Sequence, residues 1–113
     1  MDKVARHKKI AKEVLEEVAA IRTKSRFVMR TQKLYDDIHG QYMLHKYGWK
    51  RSSRIYGMIA HLEIAEDGKI WLHHDGTGLE LAYVLVNKGI SKKDIVLAFQ
   101  PEYAREDLGF ALA

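Results

Sequence analysis

A switch in hydrophobic period near Ser25 constrains this chain more than any other feature. Beyond it, strand-forming residues alternate with period two in four segments, separated by breaks of only four or five residues. Strands joined by connections this short are typical of an antiparallel meander of about four strands. The segments are RFVMRTQKLY (26–35), QYMLHKYGW (41–49), RIYGMIAHLEI (54–64) and KIWLHHD (69–75).

Helical patterns flank the strands. The first 24 residues predict an amphipathic helix, because apolar residues recur there with a period near 3.5. These residues are Val4, Ala11, Val14, Val18 and Ile21, with Ile10 and Leu15 widening the stripe. Later, LELAYVLVNKG (79–89) is apolar almost all round, which predicts a buried helix that stops at Gly89.

From Asp94 onward the sequence pattern does not fully determine the secondary structure. Periodicity does not separate strand from helix in Asp94–Phe99, although the β-branched Ile95 and Val96 favour a strand. Pro101 suits the first turn of a short last helix, and the apolar ending FALA predicts a docked terminus. We therefore expect an α+β fold, with residues 1–113 forming a single domain.

Positive charge is concentrated near the start of the chain. Residues 1–33 carry ten Lys and Arg against four Asp and Glu, whereas the other eighty residues carry nine against eleven. A charge of this size suits a solvated helix face, with contact to nucleic acid or to an acidic partner as the alternative.

The chain contains no cysteine, which excludes disulfides, thiolate zinc sites and a cysteine nucleophile. It has no run of about 18 apolar residues, and its first residues are charged, so neither a transmembrane span nor a secretory signal is expected. We therefore expect a cytoplasmic protein that does not enter a membrane.

The AEDG turn sets the register between the third and fourth strands. A two-residue turn would pair Glu66 with Lys69, whereas a three-residue loop with Gly68 in the left-handed conformation would pair Ala65 with Lys69. The second register places apolar side chains opposite each other, so we expect it. It pairs Ile64 with Ile70 and Leu62 with Leu72.

This register brings polar side chains together on the other face of the sheet. It places His61 opposite His73 and beside Glu63 and Trp71, with Asp75 nearby, and it sends His74 to the apolar face or its rim. Two imidazoles and a carboxylate at this spacing could bind zinc or exchange protons. The alternative is that these side chains only hydrogen-bond their neighbours, and we favour it because nothing forces three ligands to converge.

The two Asp-Gly pairs of this region favour structural roles. Asp67 and Gly68 form the turn itself, whereas TGLE (77–80) has the pattern of a capping box. Thr77 is therefore predicted to cap the following helix, and Asp75 to lie near its positive end. The alternatives are an anion site at that helix N-terminus and a magnesium site at Asp67, for which no second carboxylate is placed.

Basic and aromatic residues alternate around the turn GWKRSSR (48–54). Such a combination can bind single-stranded or distorted nucleic acid, and it can also anchor a protein partner. The remaining alternative is a solvated turn with Trp49 packed in the core. The candidate residues are Lys46, Trp49, Lys50, Arg51, Arg54 and Tyr56.

Seven short motifs occur in an order and spacing that resemble one family. They are GW (48–49), RIYG (54–57), His61, DGKIW (67–71), DGT (75–77), DIVLAF (94–99) and FALA (110–113). Over residues 34–113 the chain resembles the XisI family, the fdxN-element excision controlling factors, whereas its N-terminal helix resembles them in character only. No single motif is specific, but the ordered set is.

The resemblance implies a small α+β domain of cyanobacterial type with an accessory role in site-specific DNA excision, beside a nuclease-fold factor, XisH. It brings neither catalytic residues nor a cofactor. We therefore expect a non-enzymatic factor that binds an XisH-like protein, with DNA and a second copy of the chain as further candidate partners. The alternative is a metal-assisted hydrolase or nuclease that uses the histidines and carboxylates of the 61–75 segment.

Three positions depart from the pattern of the family that this chain resembles. IHG (38–40) replaces an acidic-basic-acidic stretch, QPE (100–102) replaces HPP, and His73 replaces a more frequent glutamine. Any partner contacts that relatives make at these positions are expected to differ in this chain.

Overall fold

The computed structural model describes residues 2–22 and 29–113. Its elements are α1 (Lys3–Arg22), β1 (Met29–Asp36), β2 (Gln41–Lys50), β3 (Ser53–Ile64), β4 (Ile70–Asp75), α2 (Leu81–Asn87), a 3₁₀ turn (Lys92–Asp94), β5 (Ile95–Leu97) and α3 (Glu102–Asp107). The first strand was predicted to begin at Arg26, and residues 26–28 lie outside the described residues. The α+β class expected from the sequence is confirmed.

The strands form one sheet in the order β1–β2–β3–β4–β5. Strands β1 to β4 are antiparallel neighbours, as the short connections predicted. Strand β5 runs parallel to β4, so the further strand extends the same sheet to five strands. A parallel pair cannot be joined by a hairpin, and α2 provides the crossover connection between β4 and β5.

Helix α1 packs on one face of the sheet, and together they form the core. The buried residues of the helix are His7, Ile10, Ala11, Val14, Leu15, Val18 and Ala19. They meet a layer of strand residues that includes Tyr42, Leu44 and Leu62, all fully buried. Ile21, which the sequence pattern placed on the same stripe, is 59% exposed.

The buried His7 ties α1 to the turn between β3 and β4. Its Nδ1 lies 2.6 Å from the carbonyl oxygen of Gly68, to which it donates. Gly68 has φ +91°, and its N–H donates to the carbonyl of Ala65, as in the predicted three-residue loop. The N–H of Ala65 in turn donates to the carbonyl of Lys69. The helix and the hairpin therefore fix each other's position.

The end of the chain closes the far edge of the sheet. Helix α2 ends at Asn87, and Gly89 follows in the left-handed conformation while the N–H of Ile90 donates back to Leu85. The N–H of Ala111 donates to the carbonyl of Ile95, so the terminus is docked. Within the described ranges, none of the helices has the length and apolar content that crossing a membrane requires.

Candidate binding surface on the open sheet face

The face of the sheet that points away from α1 carries the candidate site. Residues paired across neighbouring strands share a face, and alternate pairs point the same way. None of the residues on this face is buried, so the surface is accessible. We call it the open face, and its residues are Arg30, Gln32, Leu34, Asp36, Gln41, Met43, His45, Tyr47, Trp49, Arg54, Tyr56, Met58, His61, Glu63, Trp71, His73 and His74.

Near the β2–β3 turn, aromatic rings and one arginine of the open face contact each other in a row. The guanidinium carbon of Arg54 lies 5.6 Å from the ring centre of Trp49 and 5.8 Å from that of Tyr56. Tyr56 meets His45 edge-on, with ring centres 4.5 Å apart, and Tyr47 lies 6.4 Å from His45. Contacts of this kind orient the exposed rings. We call these five residues the aromatic row.

The structure separates the six residues proposed around the basic turn. Trp49, Arg54 and Tyr56 lie together in the aromatic row. Lys46 and Lys50 pair with residues of the opposite face, because they alternate with Trp49 along β2. The sixth residue, Arg51, lies in the turn itself, in the left-handed conformation with φ 58°. Trp49 is 56% exposed, so it is not packed in the core.

At the other end of the open face, two histidines are hydrogen-bonded to separate partners. His73 Nε2 donates to Glu63 Oε1 over 2.7 Å, and His61 Nε2 donates to Gln41 Oε1 over 2.6 Å. The two imidazole centres are 4.7 Å apart, and Trp71 stacks against His73 at 6.3 Å. We call these five residues the histidine cluster.

The register that was predicted to place His61 opposite His73 is wrong at this pair. Ile64 faces Ile70 and Leu62 faces Leu72 as expected, but His61 pairs with His74. A β-bulge inserts an extra residue between these pairs, and a bulge shifts every pair beyond it. His74 is consequently exposed rather than turned toward the apolar face.

Asp75 does not join the histidine cluster. It pairs with the buried Ala60, and its carboxylate accepts hydrogen bonds from the N–H of Leu81 at 2.8 Å and from Thr77. Across residues 2–22 and 29–113, no three His, Asp or Glu side chains are arranged to hold a metal ion. The four proposed ligands His61, Glu63, His73 and Asp75 therefore do not form a metal site in this geometry.

The capping-box prediction for Thr77 is also wrong. Helix α2 begins at Leu81, its N-cap is Glu80 in the left-handed conformation, and no side chain of that residue caps the helix. Thr77 lies too far ahead of the helix, because the Gly76–Gly78 stretch adds a tight turn in which its hydroxyl accepts from the N–H of Leu79. Asp75 satisfies the first turn instead, with its negative charge near the positive helix end.

A model of the XisI family, described as "XisI protein", matches residues 1–112. The chain belongs to the XisI family. Among proteins with curated descriptions, none matches it.

Two solved structures resemble this XisI-family chain closely. A XisI-like protein from Anabaena variabilis ATCC 29413 is 28% identical, with a TM-score of 0.87 over 97% of this chain and 99% of its own. The fdxN element excision controlling factor XisI from the same organism is 26% identical, with a TM-score of 0.84 over 99% of this chain and 100% of its own. The fold of these two structures therefore matches at least 97% of this chain.

Two segments that depart from the family pattern, IHG (38–40) and QPE (100–102), make local hydrogen bonds in this XisI-family chain. At IHG, the Asp36 carboxylate accepts from the N–H groups of Ile38 and His39, so the segment forms a closed turn. Hydrogen bonds to the His39 backbone and side chain lower the pKa of Asp36. At QPE, the carbonyl of Gln100 accepts from Arg105 over 3.0 Å. Both segments make internal structural contacts.

Several residues of the open face were not foreseen from the sequence. His45 belongs to the aromatic row and Gln41 to the histidine cluster, and both lie an even number of residues from Trp49 on β2. Period two along this strand would have placed both residues on the face of Trp49. The contact of Arg105 with Trp71, at 5.9 Å from the ring centre, depends on the placement of α3, which period alone does not give.

We predict that His61 makes the stability of this XisI-family protein depend on pH. Burial, followed by the neighbouring His73 and His74, lowers the pKa of His61 below 6.5, while Glu63 opposes the shift. Above pH 6.5 the imidazole is neutral in both folded and unfolded chains. Below that value the unfolded chain takes up the proton first, so the free energy of unfolding falls until pH passes the lowered pKa of the folded state.

Urea denaturation at several pH values between about 7.5 and 5 measures this dependence. The variant His61→Gln cannot titrate and retains an amide donor toward Gln41, so its stability should fall less over this range. His39→Gln removes an exposed histidine outside the cluster and is the control. An identical pH dependence in the wild type and in His61→Gln would contradict the prediction.

Proposed function

We propose that this XisI-family protein is a non-enzymatic accessory factor in the excision of a DNA element, and that it acts by binding an XisH-like nuclease-fold protein. The observation that carries the proposal is the open face, an accessible surface of seventeen residues on which none is buried. A relative of the same fold is described as the fdxN element excision controlling factor, which supports the genetic role.

The half of the open face around the histidine cluster has the chemistry of a protein interface. Leu34 is 48% exposed, and Met43 and Met58 lie half-buried between the cluster and the aromatic row. Methionine and aromatic side chains are enriched where proteins bind one another, because they adapt to a partner and desolvate easily. The pair of His73 and Glu63 adds polar groups that would orient a partner.

The arrangement of the proposed metal ligands argues against the alternative of a metal-assisted hydrolase or nuclease. Such a site needs three side chains that converge on one point. Here Glu63 accepts from His73, His61 is bonded to Gln41, and Asp75 is occupied at the start of α2. Each of these groups is held by a partner within the chain, and among the described residues they do not converge on one point.

The proposal is tested by co-expressing the tagged protein with the product of a neighbouring XisH-like gene and measuring the mass of the purified species by light scattering. We expect a complex of defined stoichiometry. Leu34→Glu places a charge in the apolar part of the open face and should weaken the complex at least about tenfold. Leu79→Glu changes a leucine of similar exposure, 45%, outside this face and should leave the complex intact.

Failure of the two proteins to co-purify would overturn the partner assignment. A mass of two copies of this chain, lost in Leu34→Glu but kept in Leu79→Glu, would assign the open face to a homodimer instead. Equal effects of the two substitutions would place the XisH-like protein on another surface.

A further inference from the structure

We infer that the aromatic row is a binding platform for single-stranded DNA. The inference deepens the proposed function, from which it takes the choice of DNA, by naming the ligand of the half of the open face that lies beside the β2–β3 turn. In this arrangement bases stack on Trp49 and Tyr56, while the cationic groups of Arg54 and Arg30 meet the phosphates.

Charge separates this half of the open face from the half around the histidine cluster. The charged side chains of this half of the open face are Arg30 and Arg54, because Lys46 and Lys50 pair with residues of the opposite face. Arg30 pairs with Tyr47 across β1 and β2, so a second cation lies beside the row on the same face. The carboxylates of the open face belong to Glu63 and Asp36, which both pair with Gln41 at the end of the histidine cluster. A phosphate backbone is therefore attracted to the row and repelled from the cluster.

The rings of the row are available for stacking. Tyr56 is 70% exposed and Trp49 is 56% exposed, so both rings are largely open to solvent beside the β2–β3 turn. Arg54 lies over both rings without covering them, and the Tyr47 hydroxyl accepts from Gln32 over 3.2 Å, which fixes its ring. Ordered, exposed rings bind bases without a large entropic cost.

The spacing of the rings favours a single strand over a duplex. Trp49 pairs with Arg54, and Tyr56 lies two residues beyond Arg54 on β3, so the two stacking residues are diagonal neighbours about 7–8 Å apart. This is about twice the 3.4 Å rise of stacked bases, so consecutive bases reach separate rings only when they unstack. A single strand can do so, whereas the bases of a duplex remain paired and stacked.

Fluorescence anisotropy with labelled oligothymidylate of about 12 nucleotides tests the inference on the isolated protein. A duplex and an oligouridylate of the same length are run beside it at about 50 mM NaCl. We expect the single-stranded DNA to bind at least about tenfold more tightly than the duplex. Trp49→Ala should weaken binding about five- to 150-fold, whereas Trp49→Phe should restore most of it.

Two matched controls separate the row from general effects. Tyr103→Ala removes a tyrosine that is 74% exposed on α3, and it should leave the affinity unchanged. Arg54→Ala should reduce the slope of log affinity against log salt by about 0.7, whereas Lys93→Ala, on an exposed residue of the 3₁₀ turn, should not. Unchanged melting temperatures of the variants confirm that the fold is retained.

The inference is overturned if the duplex or the RNA binds more tightly than the single-stranded DNA, or if no oligonucleotide binds at low salt. It is also overturned if Trp49→Ala and Tyr103→Ala bind equally well. Loss of the XisH-like complex in Trp49→Ala, with oligonucleotide binding intact, would assign the row to the protein partner. The complex and the oligonucleotide are measured separately, so failure of the proposed function and failure of this inference are distinguishable.

Discussion

Replacing Asp75 with alanine should lower the free energy of unfolding by about 3 kcal/mol, because three hydrogen bonds end on this one carboxylate. Oδ1 accepts from the N–H and the hydroxyl of Thr77, at 3.0 and 2.6 Å, and Oδ2 accepts from the N–H of Leu81 at 2.8 Å. The last of these bonds satisfies a free donor at the start of α2. Without it, the crossover between β4 and β5 begins with unpaired backbone groups.

Urea denaturation of Asp75→Ala, Asp75→Asn and the wild type measures this loss. The asparagine oxygen can still accept from Thr77, but its amide group cannot accept from Leu81, so an intermediate loss is expected. Asp107→Ala removes an exposed carboxylate on α3 and is the control. Because the role of Asp75 is structural, EDTA should leave the melting temperature of the wild type unchanged. If EDTA destabilised the wild type as much as Asp75→Ala does, Asp75 would instead be a metal ligand.

The meander was predictable from the sequence because hairpin geometry is local. The three-residue loop at Gly68 followed from two requirements, a left-handed glycine and apolar residues facing each other, and both hold. The parallel position of β5 was not predictable in the same way. It depends on α2 packing back across the sheet, and such a contact between distant segments does not show in the sequence pattern. A three-residue strand is also too short to show a period.

The candidate site was only partly predictable, for a related reason. Alternation along β3 groups Arg54 with Tyr56, but it predicts that Ile55, Gly57 and Ile59 share the face of His61 and Glu63. A bulge opposite Leu44 and His45 inserts Ile59, so Arg54 and Tyr56 lie on that face instead. The bulge near His61 adds one residue without any glycine or proline to mark it, so the partner of that histidine could not be derived. The same bulge moved Asp75 to the helix and separated it from His73.

Replacing Gly40 with alanine should lower the free energy of unfolding by about 2–5 kcal/mol, the largest effect we expect from a single methyl group. Gly40 is buried at the end of the β1–β2 turn and has φ +66°, a conformation that costs an alanine about 1–2 kcal/mol. A Cβ there would also lie 2.4 Å from the carbonyl oxygen of Ile64. That oxygen is backbone and cannot rotate away, so the end of β3 must shift, at a cost of about 1–3 kcal/mol.

Gly78→Ala separates the two causes, since Gly78 has φ +76° and a Cβ there would meet no atom within 4 Å. It should show only the conformational cost, so Gly40→Ala should lose at least about 1 kcal/mol more in urea denaturation. Equal losses of stability in the two variants would mean that the end of β3 shifts at no energetic cost. The difference matters for the binding surface, because the N–H of Ile64 donates to the carbonyl of Gly40 over 2.8 Å. A shift at this bond moves β2 against β3, and with them Gln41 and Glu63, which support His61 and His73 in the histidine cluster.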